Sequence, residues 1–189
     1  LNPYPFLLYD DNPINQLKRS KKYARKFFSK NEIVNFHKRK EGKIRVGYFS
    51  ADFRDHPVTH MITPLLEKHD KESFQIFLYS FNRKEDSYTY KLKNLGCIFK
   101  DIKDLNEPQI IELVRSDNLN IAIDLMGYTG NNKNFIFRNR IAPTQVNYLG
   151  FPGTMGSKSY DYIIGDELII PKKDERFYTE KVLRLKHYF

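Results

Sequence analysis

The sequence is 189 residues long, with a hydrophobic fraction of 40%, an aromatic fraction of 15% and a formal net charge of +9. This composition excludes an intrinsically disordered chain, and the length suits one domain of ordinary size with a modest appendage. No apolar run approaches the roughly 20 residues that span a bilayer, and the N-terminus lacks a signal pattern, so we expect a cytoplasmic protein without a membrane span. Cys97 is the single cysteine, which excludes an internal disulfide, and no spacing of Cys and His resembles a zinc site.

The positive charge is concentrated in one segment of the chain. Residues 18–43 hold eleven Lys or Arg and two Glu, so they account for the whole net charge of +9. Such a segment is either a patch for nucleic acid, an anionic membrane or an acidic partner, or the solvated face of a helix. Its Phe and Tyr recur at helical spacing between the cations, which favours a helix with one packed and one solvated face. We therefore expect no nucleic-acid binding.

The first 42 residues are predicted to form a helical connector. Residues 1–9 are apolar and aromatic with two prolines, which is typical of an irregular segment packed on a hydrophobic surface. The sequence Asp-Asn-Pro then indicates a helix start, and apolar residues recur amid Lys and Arg from Ile14 to about Phe36. We expect residues 12–39 to be helical and to lie outside the sheet formed by the rest of the chain.

Residues 44–60, IRVGYFSADFRDHPVTH, combine a buried strand with chemically active side chains. The run from Ile44 to Phe49 has the β-branched and aromatic residues of a strand buried on both faces, as in a parallel sheet. Small and polar residues then form a turn, and Pro57 is suited to the first turn of a helix. His56 thus falls at a strand-to-helix junction, where parallel sheets bind ligands and an imidazole acts as a general base or as a donor to phosphate. The alternative is that His56 only caps the helix.

The residues that follow alternate between strand and helix patterns at intervals of about 25 residues, which indicates repeated βαβ units. Further strands are predicted at residues 74–81, 97–102, 120–126, 145–151, 160–166 and 182–187. The fold class is therefore α/β, with a parallel Rossmann-like sheet of about six or seven strands over residues 43–189, flanked by helices.

Two further loops at the same predicted sheet edge are rich in small residues. The fourth strand ends in a Gly-Tyr-Thr-Gly turn at residues 127–130, and the fifth is followed by FPGTMGS at residues 151–157. Such loops let backbone N–H groups approach a ligand, although neither has the spacing of a Walker loop or a GxGxxG fingerprint, and a plain βα turn is the alternative. We expect His56, Thr129 and Gly153 to meet in one crevice.

Two carboxylates accompany these loops. Asp52 follows the first strand, where its commonest role is to accept hydrogen bonds from turn amides. Asp124 lies inside an apolar strand and needs a partner if it is buried. It either hydrogen-bonds the crevice loops or marks a less buried edge.

Three stretches together resemble the catalytic region of the O-linked N-acetylglucosamine transferase and SPINDLY family, in its bacterial form. They are residues 44–60, IDLMGYTGNNKNFIFRNRIAPTQVNYLGFPGTMGSKSYDYIIGDELIIP at 123–171 and FYTEKVLRLKHYF at 177–189, and they run in register from about Lys43 to the end. Residues 1–42 resemble the connector that joins tetratricopeptide repeats to the catalytic region in such proteins. The resemblance implies that residues 43–189 are the first of the two Rossmann-like domains of an inverting glycosyltransferase.

The resemblance also implies a reaction, in which N-acetylglucosamine passes from UDP-GlcNAc to a Ser or Thr hydroxyl of a protein. The family's HP motif falls on His56 and Pro57, with the histidine as base or as donor-contacting group. The other implied substrate-binding residues are His60, Gly127, Tyr128, Thr129, Pro152, Gly153 and Thr154. No cofactor or metal ion is expected besides the nucleotide sugar, because cationic side chains and helix N-termini carry the diphosphate charge and the chain has no paired carboxylates of the DxD kind.

In this family the second domain holds most of the nucleotide, including a lysine near the diphosphate, and that half is missing here. The chain begins at Leu1 and stops at Phe189 after a strand-like run, so we expect both ends to be cut from a longer protein. Alone, the chain is expected to be inactive. Two alternatives stay open: a non-catalytic Rossmann-like interaction module or scaffold, and a nucleic-acid or acidic-partner binder acting through residues 18–43.

Overall fold

The computed structural model describes residues 1–28, 34, 36 and 42–186. Its centre, within these residues, is a sheet of seven strands in the order β3-β2-β1-β4-β5-β6-β7, and every neighbouring pair is parallel. The strands are β1 (Ile44–Ser50), β2 (Phe74–Ser80), β3 (Ile98–Asp101), β4 (Ile121–Asp124), β5 (Thr144–Tyr148), β6 (Tyr162–Gly165) and β7 (Lys181–Arg184). The predicted strands and the parallel α/β class are confirmed.

Helices cover both faces of the sheet. The described residues form α1 (Pro13–Phe27), α2 (Pro57–Lys68), α3 (Ser87–Lys93) and α4 (Glu107–Ser116), with 3-10 helices at Tyr4–Leu8, Asn134–Asn139 and Lys172–Phe177. One core cluster joins α2 and α3 to one face of the sheet, as Ile62 and Leu92 show. The other joins α1, α4 and the second 3-10 helix to the opposite face, as Ala24, Val114 and Phe137 show. The sheet is therefore buried on both faces, as its apolar strands predict.

Helix starts follow from side chains that cap the first free amides. Asn12 accepts hydrogen bonds from the amides of Ile14 and Asn15 at the start of α1. Asp86 and Asn106 form capping boxes at the starts of α3 and α4. Each cap satisfies a donor that has no partner inside the helix.

The connector is helical from Pro13 to Phe27 and packs on the sheet domain through one face. Tyr23 and Ala24 belong to the packed face, while the cations at positions 18, 21, 22, 25 and 26 are exposed. One packed and one solvated face are thus confirmed for α1. α1 ends at Phe27, and residues 29–33, 35 and 37–39 of the helix predicted over residues 12–39 lie outside the described residues. Among the helices that are described, none is long and apolar enough to cross a membrane.

Candidate functional site

The candidate site lies at the carboxyl edge of the sheet, where the strand order reverses between β1 and β4. In open parallel sheets this switch point opens a ligand-binding crevice. The two strands stay joined past the ladder, since the Leu125 amide donates to the Phe49 carbonyl at 3.0 Å. β5 lies on the other side of β4. Three predicted site loops therefore leave adjacent strands: the β1 loop (residues 51–56), the GYT turn (residues 127–130) and the PGT loop (residues 151–157).

His56 ends the β1 loop as the N-cap of α2. Its backbone is extended, and Pro57 follows in the first helical turn, where a missing N–H is not needed. The His56 Nδ1 accepts the Val58 amide proton at 3.2 Å. The capping role that was the alternative for His56 is therefore real. The cap uses only Nδ1 of the imidazole. Because 32% of the side chain is exposed, the rest of the ring stays accessible to a ligand.

Asp52 lies beside His56 in the β1 loop. Its Oδ2 is 3.7 Å from the His56 Nδ1, and its Oδ1 accepts a hydrogen bond from the Arg54 Nη2 at 3.3 Å. The carboxylate thus contacts side chains, whereas turn amides were expected. The β1 loop brings an imidazole, a guanidinium and a carboxylate together, so it is the charged part of the candidate site.

Hydrogen bonds fasten the β1 loop to the start of α3. The Thr89 hydroxyl donates to the Phe53 carbonyl at 2.7 Å, and the Asp55 amide donates to the Asp86 Oδ2 at 2.7 Å. Asp86 is also the N-cap of α3, so a single carboxylate serves both elements. The backbone of the β1 loop is fixed from the β2 side of the sheet, while the side chains of Arg54 and His56 stay partly exposed.

His60 is held by contacts with α3 and the β1 loop. Its Nε2 lies 2.8 Å from the Asp55 Oδ1, and its ring stacks on Tyr88 with the centroids 4.6 Å apart. The side chain is about half exposed. These contacts account for the position of His60 without a ligand, and its proposed substrate role stays a prediction.

A buried aspartate holds the GYT turn. The Asp124 Oδ1 accepts the amides of Met126 and Gly127 at 2.9 and 3.1 Å, and its Oδ2 accepts the Tyr160 hydroxyl at 2.6 Å. Burial raises the pKa of Asp124, and the three donors oppose that rise. Of the two alternatives left open for Asp124, the structure shows the first, since the carboxylate is buried and accepts amides of the GYT turn and its preceding residue. Gly127 is required because its φ is +54° and a Cβ would lie 2.5 Å from the Phe151 Cβ.

The other two residues of the GYT motif differ in accessibility. Tyr128 is fully buried, and its hydroxyl donates to the Met155 carbonyl at 2.6 Å. Burial raises the pKa of this phenol. Thr129 is partly exposed, and its hydroxyl donates to the Met126 carbonyl at 2.8 Å. Tyr128 therefore joins the GYT turn to the PGT loop from within the core.

The PGT loop folds around the ring of Phe151. Asn147, at the end of β5, donates its side-chain amide to the carbonyls of Phe151 at 2.9 Å and Gly153 at 3.4 Å. A Cβ on Gly153 would lie 2.7 Å from the Phe151 ring. The glycine in the motif is thus explained by packing within the loop, while Pro152 lies beside it and is partly exposed.

Thr154 is anchored to a buried glutamate. Only 2% of Thr154 is exposed, and its hydroxyl donates to the Glu180 Oε2 at 2.7 Å. The Glu180 Oε1 accepts the Met155 amide at 2.6 Å. Burial raises the pKa of Glu180, and these hydrogen bonds oppose the rise. Glu180 directly precedes β7, so the far side of the sheet fixes the PGT loop.

The connector also supports both loops. The Tyr23 ring packs edge-on against Tyr128 with centroids 4.9 Å apart, and the Asn2 side-chain amide donates to the Tyr128 carbonyl at 2.9 Å. Gly156 adopts φ +62°, and a Cβ there would lie 2.5 Å from the backbone carbonyl carbon of Ser20. The connector is therefore a wall of the site region.

The structure brings the GYT turn and the PGT loop into direct contact and sets the β1 loop on the adjacent strand. Whether His56 shares one crevice with Thr129 and Gly153 stays a prediction. Sequence reasoning missed Asn147 and Glu180. The signal for Asn147 was an amide inside an apolar strand, as with Asp124, but Glu180 stands in a polar stretch before β7 and offered none.

Among residues 1–28 and 42–186, no group of three or more His, Cys, Asp or Glu side chains is placed to hold a metal ion. The expectation that no cofactor or metal takes part stays a prediction.

Comparisons with known proteins give one consistent result. Residues 20–189 match glycosyl transferase family 41. The probable UDP-N-acetylglucosamine–peptide N-acetylglucosaminyltransferase SEC of Arabidopsis thaliana is 30% identical over 202 aligned positions, which cover 100% of this chain and 21% of that protein. The UDP-N-acetylglucosamine–peptide N-acetylglucosaminyltransferase of Caenorhabditis elegans is 33% identical over 78% of this chain and 13% of its own length.

A solved structure is similar over nearly the whole chain. It is a mutant of the O-GlcNAc transferase of Thermobaculum terrenum, with a TM-score of 0.92 and 29% identity. The match covers 98% of this chain and 37% of that one. The chain thus spans about a fifth or less of the curated relatives and little more than a third of the solved one.

Proposed function

The chain belongs to glycosyl transferase family 41, and we propose that it is part of an inverting enzyme that transfers N-acetylglucosamine from UDP-GlcNAc to Ser and Thr hydroxyls of proteins. The family match over residues 20–189 carries the proposal. Relatives named as peptide N-acetylglucosaminyltransferases support the donor and acceptor classes. The expected cytoplasmic location remains a prediction.

In the proposed reaction the acceptor hydroxyl oxygen bonds to the anomeric carbon as the bond from that carbon to the UDP oxygen breaks. The hydroxyl must be aligned opposite the leaving nucleotide, its proton passes to water or to the departing diphosphate, and the diphosphate must be stabilised. In this proposal the β1 loop supplies the charged side chains, and the GYT turn and PGT loop supply the shape of the crevice. Tyr128 and Thr154 are then supports, because their hydroxyls are already bonded inside the protein. A downstream second domain supplies most contacts to the nucleotide, and upstream tetratricopeptide repeats are a further expected part of the whole protein.

His56 is proposed to donate a hydrogen bond to the nucleotide sugar instead of acting as the base. Its Nδ1 accepts the Val58 amide proton, so a neutral imidazole in this position carries its own proton on Nε2. An Nε2–H group is a donor and has no free lone pair for a hydroxyl proton. Donation to the diphosphate or the donor sugar would stabilise charge that develops as the bond to the nucleotide breaks.

Two amide substitutions separate the possible roles of His56. In His56→Asn the amide oxygen keeps the cap, but the outer nitrogen is lost. In His56→Gln the amide nitrogen reaches the place of Nε2, but the cap is weakened by about 1 kcal/mol. We expect a fall in transfer of about 100-fold for Asn and a smaller fall for Gln.

The measurement is sugar transfer to a Ser/Thr peptide by the protein extended with its downstream half, with thermal unfolding of each variant as the control. Full activity of His56→Asn would reduce the histidine to a cap. Equal and severe losses in both variants would make it the base. No transfer by the extended wild type would overturn the proposed function. The 189-residue chain alone is expected to fold and to transfer essentially nothing.

A further inference from the structure

A groove of about 500 Å³ lies between the connector and the PGT loop. One wall is the start of the connector around Leu7 and Asp11, and the opposite wall is the segment between β6 and β7, around Leu168 and Phe177. Residues 152–154 of the PGT loop line it as well. The groove is therefore continuous with one of the loops of the candidate site.

The walls of the groove are fixed by hydrogen bonds. The Tyr178 hydroxyl donates to the Pro152 carbonyl at 3.0 Å, which ties the β6–β7 segment to the PGT loop. On the other wall the Gln16 side-chain amide donates to the carbonyls of Phe6 and Asp10 at 3.0 and 2.9 Å. Both walls are thus built before any partner binds, which lowers the entropic cost of binding.

Apolar groups in the groove are open to solvent. Leu168 is 73% exposed and Ile169 is 39% exposed, and both line the groove. Large apolar side chains clustered at a groove, in contrast to single ones scattered over a surface, mark a binding site for another molecule.

The charge of the groove identifies the kind of molecule. Its lining includes the carboxylates Asp10, Asp11 and Asp174 and one ammonium group, Lys173, in a chain whose net charge is +9. Asp10 is paired with Arg19 at 2.5 Å, which leaves Asp11 and Asp174 to face a partner. Carboxylates repel a nucleotide diphosphate and attract a lysine or arginine.

We propose that this groove binds the acceptor protein as an extended segment that carries a lysine or arginine beside apolar residues. The groove leads the segment to the PGT loop, so a Ser or Thr farther along the same segment reaches the crevice. Binding of such a segment follows from the groove alone, and only its role as acceptor rests on the proposed function.

The test uses two fluorescein-labelled peptides with a central serine flanked by leucines, one with two lysines and the other with two glutamates in their place. Anisotropy with the 189-residue chain at low ionic strength is expected to show about tenfold tighter binding of the lysine peptide. The double variant Asp11→Lys and Asp174→Lys is expected to reverse this preference. Leu168→Ser is expected to weaken both peptides.

The matched control reverses two exposed carboxylates away from the groove. Glu72→Lys with Glu112→Lys changes the net charge equally, and both side chains are exposed. The control is expected to keep the preference for the lysine peptide. An equal effect of the two double variants, or equal binding of both peptides by the wild type, would overturn the groove as the site.

The acceptor role is tested in the protein extended with its downstream half. Groove variants are expected to raise the KM for the lysine peptide about tenfold with kcat unchanged. Transfer with an unaltered KM would overturn the groove inference and leave the proposed function standing. Selective peptide binding without any transfer would leave the groove standing as a docking site and overturn the proposed function.

Discussion

The β1 loop and the GYT turn leave neighbouring strands at the same edge of the sheet, but they differ in whether their polar groups are exposed or buried. The β1 loop fixes its backbone through Asp86 and Thr89 and leaves its imidazole and guanidinium at the surface. The GYT turn and the adjoining PGT loop bury their polar groups, through Asp124 and Glu180. The difference divides the candidate site into a part that offers chemistry and a part that holds shape.

The largest expected effect is on the part that holds shape. Gly127→Ala places a side chain on a backbone with φ +54° and sets its Cβ 2.5 Å from the Phe151 Cβ. The strained backbone costs about 1–2 kcal/mol and the overlap about 1–3 kcal/mol, so we expect the free energy of unfolding to fall by about 3 kcal/mol. Urea unfolding of the 189-residue chain measures it.

Gly130→Ala is the matched control in the same turn. Nothing lies within 4 Å of a Cβ at Gly130, so the free energy of unfolding should change by less than about 0.5 kcal/mol. Equal losses of stability for the two glycines would contradict the assignment of this turn as the part that holds shape. They would mean that the cost of a side chain does not depend on how tightly the position is packed.

The strands could be predicted from the sequence because a sheet buried on both faces requires continuous apolar runs. Strand ends could not, because tertiary contacts set them. Residues 120–126 were predicted as one strand, but β4 ends at Asp124, whose carboxylate binds the next amides and turns the backbone. Residues 145–151 were predicted likewise, but β5 ends at Tyr148, before Leu149 at φ +76°.

The site could be predicted only in part, for a related reason. The position of His56 at a strand-to-helix junction follows from local sequence, since a proline and an apolar strand flank it. The burial of Tyr128 and Thr154 does not, because their partners Met155 and Glu180 lie 27 and 26 residues away along the chain. A loop with glycine and threonine has the same sequence whether its side chains face the solvent or the core. The sequence therefore suggests a ligand site in both cases.

The second prediction concerns the carboxylate under the PGT loop. Thr154→Val removes the hydroxyl that donates to Glu180 and leaves a buried oxygen without that partner. The expected loss in the free energy of unfolding near neutral pH is about 2 kcal/mol, in the range for hydrogen bonds to charged groups. Thermal unfolding of the variant measures this, with Thr129→Val as a control in which a partly exposed hydroxyl is lost.

The same carboxylate predicts a pH dependence. Burial raises the pKa of Glu180 above its ordinary value of 4.5, so the folded protein keeps this proton to higher pH than the unfolded chain does. Stability attributable to Glu180 therefore falls as the pH rises from about 4.5 through the folded pKa. Thr154→Val should steepen that fall and Glu180→Gln should flatten it. A cost of Thr154→Val that is the same at pH 4 and pH 7 would contradict the coupling.

The smallest expected effect lies on the chemical side, at His60. Its contact with Asp55 is 2.8 Å long, but the side chains are 47% and 68% exposed, and such exposed pairs contribute less than about 1 kcal/mol. In a double-mutant cycle with His60→Ala and Asp55→Ala, we expect a coupling energy below that value and a further decrease at high salt. His60→Ala should also leave sugar transfer by the extended protein within about threefold, because stacking on Tyr88 and pairing with Asp55 already explain its position. If His60→Ala lost as much transfer activity as His56→Asn while its thermal unfolding stayed unchanged, His60 would belong to the chemical part of the site. That part would then extend from the β1 loop along the first turn of α2.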